Sequence, residues 1–221
     1  MDPAGTHTYF GLDLLALLLL FAAGITALFR QPMSRRSRTL FLLWLIGLMV
    51  WHCARILPLL INRPLASPDP ALSSFLLFFF AALFFRSTFN GWIGQAFNYA
   101  LTALLAVSLT LFFTNTLPPV LEGIQLATTV LLTGFVLTSL GSLLRRPQLF
   151  ILHQPLFWIA TGTLFYLMME LLLEVLIRSG QAPLQAAEKQ VLLQFFQLLQ
   201  YGLFLAAMLV NEKKPDPVSM W

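Results

Sequence analysis

Long apolar runs recur along the whole chain, separated by short segments rich in Arg, Pro, Asn and Ser. An α-helix needs about 20 mostly apolar residues to cross the hydrocarbon core of a bilayer. Seven stretches meet that requirement: residues 9–29, 40–61, 71–89, 95–115, 119–144, 149–177 and 189–211. The runs are continuous rather than alternating and too long for barrel strands, which excludes a transmembrane β-barrel. The pattern therefore predicts an all-α polytopic membrane protein, a single seven-transmembrane-helix bundle over residues 1–221 with a short tail at 212–221. Asn115-Thr116-Leu117-Pro118-Pro119 predicts a tight connection between the fourth and fifth spans, because proline lacks the N–H a helix interior needs. The first run follows MDPAGTHTYFG, which has no Lys or Arg, so a retained helix is expected rather than a cleaved signal.

Lys and Arg concentrate in cytoplasmic loops, which orients the spans. Arg30, Arg35, Arg36, Arg38, Arg86, Arg145, Arg146, Lys213 and Lys214 fall on one side, nine in all, against Arg63, Arg178 and Lys189, three, on the other. The expected topology has the N-terminus outside and the C-terminus in the cytoplasm. Composition agrees: 58% of residues are hydrophobic and 10% charged, whereas about 25% are charged in a soluble domain. The net charge of +4 reflects those loops, so no nucleic-acid partner is expected and anionic membrane lipids are. Cys53 is the single cysteine, which leaves no intrachain disulfide and no cysteine metal site.

Polar residues inside the spans carry the functional information, since a charge in hydrocarbon costs a few kcal/mol even on forgiving scales. The sixth span holds Glu170 and Glu174, four apart on one helical face, with Tyr166 one turn before Glu170. The second holds His52 and Arg55, three apart, and the first holds Asp13. Gln190, Gln194, Gln197 and Tyr201 form one stripe on the seventh. With a rise of 1.5 Å per residue, all of these sit in the outer half of the membrane. Arg55 is the one cation well inside a span, and pairing with Glu170 or Asp13 would offset the cost of both charges.

The expected ligand-binding set is Arg55, Glu170, Glu174, His52, Gln194, Gln197, Tyr166 and Asp13. The competing expectation is a buried ion pair and glutamine hydrogen bonds that merely hold helices in register. A proton relay through His52 would need acids continuing toward the cytoplasm. His52 with Glu170 and Glu174 gives three ligands from two helices, too few to expect a metal centre. His153 reads as an interfacial residue beside the first-turn Pro155, and the Phe75–Phe85 run as packing or lipid-facing surface. Hydrolase, zinc-protease, phosphate-loop and paired-aspartate signatures are missing, so neither an enzyme nor a cofactor is expected.

Pro155-Leu156-Phe157-Trp158-Ile159-Ala160-Thr161-Gly162 and Tyr166 carry Pro-x-Phe-Trp, a glycine four residues after the Trp, then a Tyr. In these residues the chain resembles small, largely uncharacterised seven-span proteins of Bacteroidetes-type bacteria. Those bundles are similar to the seven-span N-terminal sensor regions of histidine kinases. The resemblance covers spans six and seven, with Gln194 and Gln197 where the family carries polar residues. It implies a multi-pass protein of the bacterial inner membrane, related to sensory modules. The leading expectation is a non-enzymatic sensor that binds a small extracytoplasmic ligand and acts on a separate cytoplasmic signalling protein. The alternatives are a small-solute or ion transporter and a structural assembly subunit.

Overall fold

The computed structural model describes residues 3–30, 33–61, 70–89, 91–113, 118–145, 151–179 and 186–210. These form seven α-helices and no strand: α1 Pro3–Arg30, α2 Arg35–Ile61, α3 Pro70–Arg86, α4 Gly91–Phe113, α5 Pro118–Leu144, α6 Pro155–Arg178 and α7 Ala186–Leu209. Each apolar run of the sequence yields one helix. Five helices contain stretches long and apolar enough to cross a membrane: Phe10–Arg30, Arg35–Leu57, Leu126–Leu144, Pro155–Ile177 and Glu188–Leu209. Their outer faces carry many exposed large apolar side chains, Leu18, Phe21, Val50, Val175 and Phe195 among them. Such a surface is untenable in water and suited to lipid, as in a multi-pass membrane protein. At 17 residues, α3 rises only about 25 Å at 1.5 Å per residue, short of the roughly 30 Å hydrocarbon core.

Several helix boundaries differ from the expected spans, and two of the differences have clear local reasons. The sixth helix starts at Pro155 rather than at 149. A proline deeper in a helix would clash with the carbonyl four residues before it. Here it occupies the first turn, where its missing N–H costs nothing. Ile151–His153 forms a single 3-10 turn ahead of it, fastened by the Trp158 indole N–H donating to the Leu152 carbonyl at 2.8 Å. The third helix ends at Arg86 rather than 89, because the Ser87 and Thr88 hydroxyls donate to the Phe84 and Phe85 carbonyls at 2.7 and 2.6 Å. Gly91 then takes φ +71, a left-handed conformation that favours glycine, to start α4. Arg86 closes this corner, donating to Asn98 Oδ1 at 2.8 Å and to the Phe89 carbonyl at 3.0 Å. Of the expected fourth-to-fifth turn, Asn115, Thr116 and Leu117 lie outside the described residues, as do Arg63, Arg146 and the 212–221 tail.

Neighbouring helices close a six-membered ring in the order α1, α2, α3, α5, α6, α7 and back to α1, and α4 lies against α3 and α5. Side-chain contacts give the relative directions. Asp13 meets His52 while Gly24 meets Leu45 and Met49, so α1 and α2 are antiparallel. Asp13 meets Gln194 while Arg30 donates to the Leu209 carbonyl at 2.8 Å, so α1 and α7 run parallel. The Arg30 cation also sits favourably at the negative end of the α7 dipole.

At Gly162, α6 and α7 come close: a Cβ there would stand 3.1 Å from Leu203 Cβ and 3.2 Å from the Gln200 carbonyl oxygen. Glycine permits an approach that any side chain would push apart. Toward the Arg30 end, the ring is filled by Phe41, Trp44, Phe84, Phe85 and Phe204, all buried. Trp44 lies 5.1 Å, centroid to centroid, from Phe204 and 5.9 Å from Phe84. These are edge-on and tilted contacts of the kind aromatic quadrupoles favour.

Candidate functional site

Above the aromatic cluster the ring encloses a cavity of about 260 Å³. Positions 44, 48, 51 and 55 of α2 line it, one face over three turns. From α7 come Gln190, Gln194, Gln197, Gln200 and Tyr201, and from α6 come Thr163, Tyr166 and Glu170. Helices α3 and α5 complete the wall with Phe78, Ala81, Thr128, Thr129 and Leu132. Trp44 belongs both to this wall and to the aromatic cluster beneath, so it forms the floor.

Asp13 of α1 supports the cavity from behind. It is 2% exposed, and its carboxylate gathers three partners: His52 Nδ1 at 2.8 Å, Arg55 Nη2 at 3.4 Å and Gln194 Nε2 at 3.4 Å. A carboxylate only accepts, so His52 Nδ1 carries the proton. In the neutral ring, Nε2 then accepts from the Tyr201 hydroxyl at 3.1 Å. The Asp13–His52–Tyr201 chain thereby ties α1, α2 and α7 together. His52 is 1% and Tyr201 0% exposed, and both imidazole nitrogens are engaged, so this chain fixes geometry and presents no nucleophile. Buried polar groups that are satisfied in this way specify one arrangement of helices.

Further glutamines brace α7 against α6. Gln197 Nε2 donates to the Tyr166 hydroxyl and Gln200 Nε2 to Thr163 Oγ1, each at 3.4 Å. Gln194 differs from both. Its amide nitrogen is used on Asp13, yet its Oε1 is buried without a hydrogen-bond partner. Buried acceptors are normally paired, and this one belongs to a cavity-lining side chain.

Most residues singled out from the sequence meet here. Arg55, Glu170, Gln194, Gln197 and Tyr166 line the cavity, while Asp13 and His52 stand directly behind it. Of the two expected partners for Arg55, Asp13 is in ion-pair contact. Glu174 is placed elsewhere: it accepts from Lys189 Nζ at 2.8 Å, both about a quarter exposed. It is the residue a turn beyond Glu170, already at the cavity's edge. A joint set of His52, Glu170 and Glu174 does not form, since the imidazole faces Asp13 and Tyr201. Among the described residues no cluster of three or more His, Cys, Asp or Glu could hold a metal ion.

Sequence reasoning missed the Gln200–Thr163 contact, the threonines of α5 and the place of Trp44 as the floor. Gln200 lies off the 190–194–197–201 stripe, and threonines in apolar helices carry weak signal because they bond to their own backbone, as Thr133 does to Thr129. No protein-family model, curated protein or solved structure matches this chain.

Proposed function

We propose that this chain is a non-enzymatic seven-helix sensor, related to the seven-span sensory modules it resembles and resident in a bacterial inner membrane. Its N-terminus faces outside, so the Glu170 and Gln190 end of the cavity opens to the extracytoplasmic face. The observation that carries this reading is the cavity itself, about 260 Å³ walled by Arg55, Glu170 and glutamines and blind at Trp44. Concave sites with a few convergent polar groups on an otherwise apolar wall are the usual form of small-ligand sites.

The wiring behind the wall supports a sensor. Asp13 bridges Arg55 of α2 and Gln194 of α7, so a ligand engaging either side chain competes with Asp13 and loosens α7 from α1. Helix α7 runs on to Leu209, where Arg30 holds its last carbonyl. A shift of α7 there would reach a separate cytoplasmic protein. A transporter needs a polar path through the bundle, and the packed Phe41, Trp44, Phe84 and Phe204 stand in its way. A purely structural cluster has no need of a cavity.

A thermal-shift screen of purified protein against small extracellular metabolites, ions and lipids tests the reading, repeated with Arg55→Gln. At least one compound is expected to raise the melting temperature of the wild type and leave the variant unmoved. A screen with no stabilising compound, and a variant that is merely less stable, would favour a structural ion pair.

A further inference from the structure

The part of the wall that an occupant can touch narrows the class of ligand, taking the cavity to be a ligand site as proposed above. Gln194 and Gln200 are only 4% and 5% exposed and already hold Asp13 and Thr163. Hydrogen bonding to an occupant therefore falls to Gln197, which is half-buried, and to Gln190, which is exposed at the mouth. Both are neutral amides, each able to donate and to accept. The two charged side chains of the described wall are engaged within the protein. The Arg55 guanidinium faces Asp13 Oδ2 at 3.4 Å, and Glu170 has an interaction of its own. An ionised ligand would leave water without gaining a free counter-charge, which disfavours it.

Aromatic surface is placed on two sides. Trp51 of α2 and Tyr166 of α6 both line the cavity, and both are half-buried. In the ring of helices, α2 and α6 stand across from each other, with α3 and α5 between them on one side and α1 and α7 on the other. The two side chains thus flank the cavity from opposite walls. A flat ring between them loses apolar surface to both, and offset or edge-on contact with aromatic side chains adds to that burial. The Tyr166 hydroxyl accepts from Gln197 Nε2 at 3.4 Å, which sets one aromatic wall beside the amide that an occupant can reach.

We propose that the cavity takes a small, planar, uncharged ring compound bearing a hydrogen-bonding group such as a carboxamide, its ring between Trp51 and Tyr166 and its polar group on the Gln197 amide. Size sets a limit: about 260 Å³ equals roughly nine waters at ~30 Å³ each, so the ligand has on the order of ten non-hydrogen atoms. A saturated ring of the same size is puckered and fits two aromatic walls less closely. A carboxylate or an ammonium on the same ring would bring in a charge that Arg55 and Glu170, already engaged, do not neutralise.

Four probes of one size separate the possibilities: benzamide, cyclohexanecarboxamide, benzoate and benzylammonium, titrated against the full chain in an uncharged detergent with melting temperature as readout. Benzamide is expected to stabilise the protein most, with its apparent Kd weakened about tenfold in both Trp51→Leu and Tyr166→Leu, as for the loss of one aromatic contact. Should one variant fail to fold, the other carries the comparison. Stabilisation by cyclohexanecarboxamide equal to that by benzamide would overturn the planar assignment, and stabilisation by benzoate or benzylammonium equal to or greater than it would overturn the uncharged one. Either result leaves the ligand site standing. A benzamide effect undiminished in the variants would place the compound elsewhere and overturn the assignment too. No shift with any of the four probes also overturns it, and the ligand site falls as well if the wider screen with Arg55→Gln is equally blank.

Discussion

Replacing Asp13 with alanine is expected to destabilise the protein by about 3–5 kcal/mol, the range for removing one partner of a buried ion pair. The size follows from what Asp13 holds. Its 2% exposed carboxylate meets a histidine, an arginine and a glutamine drawn from α2 and α7. Removing it leaves Arg55 without that counter-charge in a low-dielectric bundle and His52 Nδ1 without its acceptor. Denaturant unfolding of the protein in mixed micelles measures the loss. Asp13→Asn combined with Arg55→Gln removes both charges while keeping polar side chains of similar shape. That double variant is expected to recover more than half of the loss. A double variant no better than the sum of its single substitutions would show that the two residues are not coupled.

Trp44→Ala is the second large effect, again about 3–5 kcal/mol, as for truncating a packed aromatic in a core. Trp44 is 3% exposed and touches Phe41, Phe84, Phe85 and Phe204, so the hole left behind is ringed by rigid side chains that close over it poorly. Trp44→Phe keeps most of the aromatic volume and is expected to cost less than half as much. Unfolding of the two variants side by side checks this. A Trp44→Ala protein within 1 kcal/mol of wild type would mean that the floor is not packed as described.

Much of this architecture was legible in the sequence because helices in lipid must satisfy their own backbone, which makes each long apolar run a helix. The polar cluster was legible for a related reason. Asp13, His52, Arg55 and the Gln190–Gln194–Gln197–Tyr201 stripe are exceptions in an apolar background, and exceptions at one depth must share partners. What the pattern did not contain is the order of helices around the ring. Depth alone leaves Asp13 and Glu170 equivalent as partners for Arg55. It is the adjacency of α1 to both α2 and α7 that brings Asp13 into contact with His52, Arg55 and Gln194. Glu174 illustrates the converse. Its spacing from Glu170 suggested one shared site, yet one further turn along α6 carries it to Lys189 at the edge. The helix start at Pro155 was also readable, since a first-turn proline marks a beginning. Hydropathy alone extends the span back to 149, and the proline overrides it.

The proposed function requires a cavity reached from the extracytoplasmic side and closed from the other by Trp44. Cysteine accessibility measures this directly. In a Cys53→Ser background, which removes the exposed native thiol, Gln197→Cys places a thiol on the cavity wall and Arg145→Cys one at the opposite, exposed end. Both are treated with a membrane-impermeant thiosulfonate in right-side-out and in inverted vesicles. The expected result is modification of Gln197→Cys from the extracytoplasmic side alone and of Arg145→Cys from the cytoplasmic side alone. Modification of Gln197→Cys only in inverted vesicles, or in neither preparation, would contradict it.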